Sequence, residues 1–187
     1  TDRASVEGAA ERAGDVDLLV NNAGVAVGGD LLQTATVDAA RTELEVNYFG
    51  VLNTTQEFAP VLGRNGGGSV VNVVSVAGFA NFPMFATYSV SKAAAHSLTQ
   101  ATRISLAGQG TKVHGVYPGP VDTDMAAELQ MEKATPKEVA EAVLDGLLAG
   151  DEYIYPDGMA REMGQAFESA PRQVEAGLAQ MAAGAQG

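Results

Sequence analysis

Three short runs, "DLLVNN" at 17–22, "GGGSVVNVVSV" at 66–76 and "KVHGVYPGP" at 112–120, constrain this chain more than any other feature. Each is apolar at consecutive positions and is closed by Asn, Gly or Pro. A strand apolar on both faces must be covered on both, as in a parallel sheet flanked by helices. Long helical patterns separate the runs: one from about Thr36 to Leu62, and one from about Tyr88 to Leu106 that is rich in Ala and free of Gly and Pro. Such alternation implies βαβ units and an α/β architecture.

The remaining segments fit the same scheme. Residues 4–14 read as a helix, and "TPKEVAEAVLDGLLAG" opens with a Thr cap followed by Pro at the first helical position. "EYIYPD" reads as a short strand, and the tail from Met159 to Gln180 as helix. The 187 residues form a single domain by length, with no internal repeat and no linker. A net charge of −12 argues against an electrostatic nucleic-acid footprint. The absence of cysteine excludes disulfides, zinc ribbons and thiol catalysis, and fits a cytoplasmic protein. The uncharged stretch Asn65–Ser91 is long enough to span a bilayer. Asn72, Asn81, Pro83 and a triplet of glycines interrupt it, so it reads as strand plus loop and no membrane partner is expected.

Several attractive motifs fail on context. "NGGGS" at 65–69 precedes a strand, whereas a phosphate-binding glycine loop follows a strand and opens a helix. His96 and His114 have no carboxylate or second histidine at ligand spacing, so no metal site is expected. Asp122 and Asp124 flank Thr123 where turn or capping duty is the ordinary role.

"YSVSK", Tyr88–Lys92, admits three readings: a tyrosine–lysine pair, a serine nucleophile beside a lysine, or a plain helix face. Ser89 does stand three before Lys92, but the S-D-N and K-T-G partners of that serine chemistry are missing. On a helix, Tyr88 and Lys92 lie one turn apart on one face. An ammonium there is expected to favour phenolate, lowering a phenol pKa of about 10. Ser75 lies thirteen residues earlier at a strand end, "NNAG" ends the preceding strand, Asn47 lies on the helix between, and "PGPVDT" ends the following strand. Ligands of open α/β sheets bind outside the carboxyl ends of the strands, where all of these elements converge.

In order and separation, "NNAG", Asn47, Ser75, "YSVSK" and "PGPVDT" resemble the short-chain dehydrogenase/reductase family across nearly the whole chain. The resemblance implies a Rossmann-type, doubly wound parallel sheet. It also implies reversible hydride transfer between NAD or NADP and an alcohol or ketone. By that resemblance Tyr88 is the general acid/base, and Ser75 holds the substrate oxygen. Lys92 lowers the Tyr88 pKa and binds the nicotinamide ribose, while Asn47 positions a water. Asn22, Ala23 and Gly24, with Pro118, Gly119, Val121 and Thr123, line the cofactor. Phe85 and Met125 are candidate substrate contacts, with core packing as the equal alternative. The family commonly forms dimers or tetramers through two long helices, here those of Asn47 and Tyr88, with Ala93–Ala95 permitting close approach.

One departure stands out. The family opens with a strand, a T-G-x-x-x-G-x-G turn and a helix that hold the pyrophosphate, and its sheet order is 3-2-1-4-5-6-7. No such segment occurs here, so strands 1–3 are expected to be absent and "DLLVNN" to be an open edge. The expectation is that the natural protein is longer. Two functions stay open: an NAD(P)-dependent oxidoreductase, and a non-enzymatic dehydrogenase-like scaffold that cannot hold cofactor unaided.

Overall fold

A computed structural model describes residues 1–28, 31–32 and 36–184. The elements run α1 (Arg3–Arg12), β1 (Leu18–Asn21), α2 (Thr36–Leu44), a π-helical turn (Glu45–Gly50) and α3 (Val51–Arg64). They continue with β2 (Gly68–Val73), α4 (Ala86–Leu106), β3 (Thr111–Val116), α5 (Pro136–Ala149), β4 (Tyr153–Ile154), α6 (Gly158–Ser169) and α7 (Pro171–Gly184). All four strands are parallel in the order β1-β2-β3-β4. This is the α/β, Rossmann-type arrangement expected from sequence, with the open edge where "DLLVNN" was expected to make one. Leu18 and Val20 on β1 are 41% and 50% exposed.

Consecutive apolar residues in the inner strands go to opposite layers, which is why those strands carry no polar alternation. Val70 and Val113 pack with Leu62 and Leu106 from α3 and α4. Val71 and Val116 join Ile154, with Val143 and Leu147 of α5 against them. The first layer is also stitched by polar side chains. Thr54 donates to Asn21 (2.6 Å), Asn21 to Asn72 (2.8 Å), Asn72 to Thr99 (3.0 Å) and Thr99 to the Ala95 carbonyl (2.8 Å). This ladder ties α3, β1, β2 and α4 together and explains why Asn72 sits in an otherwise aliphatic strand.

Three sequence expectations are corrected. The helix expected over Thr36–Leu62 is broken by the π-helical turn at Glu45–Gly50, and α3 then runs on to Arg64. The tail helix is two helices, because Pro171 has no N–H to continue α6. β2 ends at Val73, so Ser75 lies two residues past the strand rather than on its end. The α5 cap is as expected: Thr135 and Glu138 form a reciprocal capping box ahead of Pro136. The 65–69 glycines form the turn into β2, with Gly66, Gly67 and Gly68 at positive φ. No helix among the described residues is long and apolar enough to cross a membrane.

Candidate active site

The carboxyl ends of β1, β2 and β3 open onto one cleft edge, and Tyr88, Ser75, Lys92 and Asn47 meet there. Tyr88 sits in the first turn of α4, which starts two residues earlier than its pattern suggested. Two bonds fix that start: Asn81 donates to the Ala86 carbonyl (2.9 Å), and Ser89 accepts from the Phe82 N–H (3.1 Å). Ser89 is therefore occupied with the backbone, which removes the serine-nucleophile reading of "YSVSK".

Ser75 opens a short 3₁₀ turn, Val76–Gly78, and its hydroxyl accepts from the Ala77 N–H (3.1 Å). Its hydroxyl also donates in a long contact to the Pro118 carbonyl (3.4 Å) and lies within bonding reach of the Tyr88 phenol. The turn can lie this close to α4 only because residue 78 is glycine. A Cβ there would stand 2.9 Å from the Lys92 carbonyl oxygen.

Lys92 is 5% exposed and its Nζ donates to the Val73 carbonyl at 3.0 Å. The ammonium lies 5.7 Å from the centre of the Tyr88 ring. Burial lowers its pKa to about 8. The Tyr88 phenol is pushed upward from its ordinary value: burial raises it most, the Ser75 bond lowers it, and Glu43 raises it further. The expected net lowering by Lys92 is thus not met. Desolvation of the phenol sets the direction, and the Lys92 ammonium is held against a backbone carbonyl.

Asn47 lies in the π-helical turn, a feature frequent at functional sites. Its amide pairs with Val25 as a strand would, accepting from the N–H and donating to the carbonyl, both at 2.9 Å. It also donates to Ser91 (2.8 Å), and Ser91 donates to the Tyr88 carbonyl (2.7 Å). The second serine of "YSVSK" is therefore a strut between Asn47 and the catalytic turn. Sequence reasoning passed over it, although it stands one residue before Lys92.

A cofactor has a nearby bed. Asn22 and Ala23 are exposed beyond β1, and a Cβ at Gly24 would stand 3.3 Å from Asn47 Oδ1 and 3.5 Å from Lys92 Nζ. The missing side chain leaves that space in front of an ammonium with three donors. Beyond β3, Pro118 is buried, Gly119 and Val121 are half-buried and Thr123 is exposed. The Gly119 N–H is taken by Asp157 (2.8 Å), and Thr123 Oγ1 donates to the Val121 carbonyl (3.3 Å). Phe85 is half-buried in the turn before α4, and Met125 is 54% exposed in the turn after Thr123. His96 and His114 point elsewhere: His96 bonds the Tyr117 hydroxyl (2.8 Å) and His114 the Asp151 carbonyl (2.6 Å).

The pattern of the short chain dehydrogenase family matches residues 2–134. The chain belongs to this family. It is 34% identical over 145 residues to an uncharacterised oxidoreductase of Staphylococcus saprophyticus, covering 76% of this chain and 62% of that protein. It is 32% identical over 181 residues to the 2-(R)-hydroxypropyl-CoM dehydrogenase of Xanthobacter autotrophicus, covering 88% of this chain and 72% of the relative. Among solved structures, a short chain dehydrogenase from Burkholderia cenocepacia in complex with NADP superposes with a TM-score of 0.90 at 38% identity. That superposition covers 95% of this chain and 76% of the other.

Proposed function

We propose that the chain carries the catalytic part of an NAD(P)-dependent oxidoreductase acting on an alcohol or ketone, with Tyr88 as the proton donor and acceptor. The observation that carries this reading is the convergence of half-buried Tyr88 with buried Ser75, Lys92 and Asn47 at the carboxyl edge of the sheet, where Asn47 reaches the Tyr88 backbone through Ser91 and the Lys92 ammonium lies 5.7 Å from the Tyr88 ring. The nicotinamide, when bound, supplies or takes up the hydride. The chain's own residues handle the proton and the charge. Tyr88 holds a proton on its phenol and passes it to the substrate oxygen as negative charge develops there. Ser75 turns its hydroxyl proton toward the same oxygen. Lys92, beside Gly24, would hold the ribose, and Asn22, Ala23, Pro118, Gly119, Val121 and Thr123 would line the nicotinamide side. A phenol held protonated is a donor to a carbonyl oxygen, and the same group takes the proton back in the alcohol-oxidising direction. Phe85 and Met125 flank the cleft mouth and are proposed to meet the substrate.

NADP in the Burkholderia structure supports a dinucleotide here, and both nucleotides remain candidates. Exposed Val90 and Ile104 on α4 and Phe49 beside α3 support self-association through these helices into a dimer or tetramer. Ala93 is exposed and compatible with close approach, whereas Ala95 belongs to the core with Val74 and Tyr117.

Calorimetric titration with NADH and NADPH, followed by turnover of a ketone panel, tests the reading. Saturable binding of one nucleotide and Tyr88-dependent turnover are expected. Failure of both nucleotides to bind would favour the non-catalytic scaffold.

A further inference from the structure

Glu43 stands one turn before Asn47 and is fully buried, 0% exposed. One carboxylate oxygen accepts from the N–H groups of Val27 (2.9 Å) and Gly28 (3.0 Å). The other oxygen is enclosed with no hydrogen-bond partner. Among the described residues no ion pair includes Glu43. A buried carboxylate with unused acceptor capacity is costly to keep, and a neutral side chain of this shape would serve packing better.

Its position suggests what it does. Asn47 holds both backbone groups of Val25, and Glu43, on the same face four residues earlier, holds the N–H groups of Val27 and Gly28. The pair pins Val25–Gly28, the segment that directly follows Asn22–Gly24 along the cleft. Helix α2 also packs on α4, which carries Tyr88. The Lys92 ammonium of α4 lies 5.7 Å from the Tyr88 ring, Ser75 reaches the phenol from the turn after β2, and the Glu43 charge on α2 raises the phenol from its ordinary value.

We propose that Glu43 is a positioning residue of the Tyr88 site: it pins the Val25–Gly28 backbone to α2 and fixes a carboxylate on the Tyr88 side of the cleft. The clamp orders the cofactor-facing segment. The charge opposes ionisation of the phenol and so keeps Tyr88 a proton donor. The proposal rests on the oxidoreductase reading only for its kinetic consequences.

The test uses the whole chain with two substitutions. Glu43→Gln keeps an acceptor and the shape but removes the charge, and Glu43→Ala removes both. Amide hydrogen exchange at Val27 and Gly28 reads the clamp, and a pH titration of isotope-labelled Tyr88 by NMR reads the charge. Neither readout requires turnover. Expected are wild-type-like protection in Glu43→Gln, at least about tenfold faster exchange at both amides in Glu43→Ala, and a lower Tyr88 midpoint in Glu43→Gln. With NADPH and a ketone, Glu43→Gln should move the alkaline limb of kcat to lower pH at unchanged cofactor KM. Glu43→Ala should raise that KM several-fold. Unchanged exchange in Glu43→Ala, or an unchanged Tyr88 midpoint in Glu43→Gln, overturns the proposal. If Glu43→Ala does not fold, the Glu43→Gln titration still decides. Turnover retained in Tyr88→Phe would instead remove the oxidoreductase assignment of Tyr88 and leave the exchange result standing.

Discussion

On the α4 side of the cleft, the Asn47 and Lys92 side chains are held by other elements. Asn47 bonds Val25 and Ser91, Ser91 bonds the Tyr88 backbone, and Lys92 reaches across to β2. On the side built from the chain after β3, the hold past Gly119 comes chiefly from the backbone. Asp122 donates to the Ala134 carbonyl (2.9 Å), Ala134 donates to the Pro120 carbonyl (3.0 Å), and Asp122, Thr123, Asp124 and Met125 between them are exposed. On the oxidoreductase reading proposed above, the contrast separates two jobs. Proton handling needs fixed groups in a site of low dielectric, whereas substrate choice tolerates an adaptable wall.

The largest effect is expected from the fixed side. Tyr88→Phe removes one oxygen and should lower kcat by about 10²–10⁴-fold. The melting temperature and nucleotide affinity should hardly change, because the ring and its packing remain. Steady-state kinetics beside a calorimetric titration would show it, and near-normal turnover would end the comparison in its present form.

Next in size is a pH effect on stability. Burial lowers the Lys92 pKa to about 8 in the folded chain, against an ordinary value of 10.5. Between those values the unfolded chain keeps a proton that the folded chain has released, so stability rises with pH across that window. A displacement of that size corresponds to about 3 kcal/mol. Above pH about 10 the raised phenols of Tyr88, Tyr117 and Tyr155 act oppositely and remove stability. Urea denaturation at pH 7.5, 9 and 10 should therefore climb in the wild type and stay flat by comparison in Lys92→Met. Parallel curves for the two proteins would show that the fixed side bears no desolvation cost at Lys92.

A smaller effect tests whether the polar ladder holds the fixed side in place. Asn72→Ala leaves Asn21 without its acceptor and Thr99 without its donor, inside the layer beneath α4. A loss of about 2 kcal/mol is expected, with kcat reduced less than in Tyr88→Phe. Chemical denaturation measures the first and kinetics the second. An unchanged midpoint would mean that the aliphatic layer alone holds α4.

How far these features could be read in advance follows the same division. The strand order and the cleft edge were legible, because fully apolar strands at regular intervals admit few arrangements. Tyr88 and Lys92 were legible as a pair, since spacing along one helix sets them side by side, and Ser75 as a residue closing the β2 run, although it lies two residues past the strand. Glu43 and Ser91 were not, because their roles depend on backbone groups of a loop far away in sequence. The π-helical turn was hidden for a related reason: Asn47 pairs with Val25, and helical periodicity records no such partner. The direction of the Tyr88 shift was misread because charge proximity shows in sequence and desolvation does not.

The smallest effect belongs to the open side, and it is the one that could most sharpen the contrast. Met125 is 54% exposed and follows Thr123 at the cleft mouth. Met125→Ala should change stability by less than about 0.5 kcal/mol, as exposed positions away from special features do. Its kinetic signature should lie in discrimination. Losing a flexible thioether beside a hydrophobic substrate costs on the order of 1–3 kcal/mol of kcat/KM for bulky ketones and little for small ones. A panel of ketones of increasing side-chain size, assayed with the same nucleotide, separates that outcome from a uniform loss. Equal losses across the panel would place Met125 with the fixed machinery and erase the division between the two sides. Losses that grow with substrate size would make the turn after Thr123 the place to engineer specificity without disturbing the Tyr88 cluster.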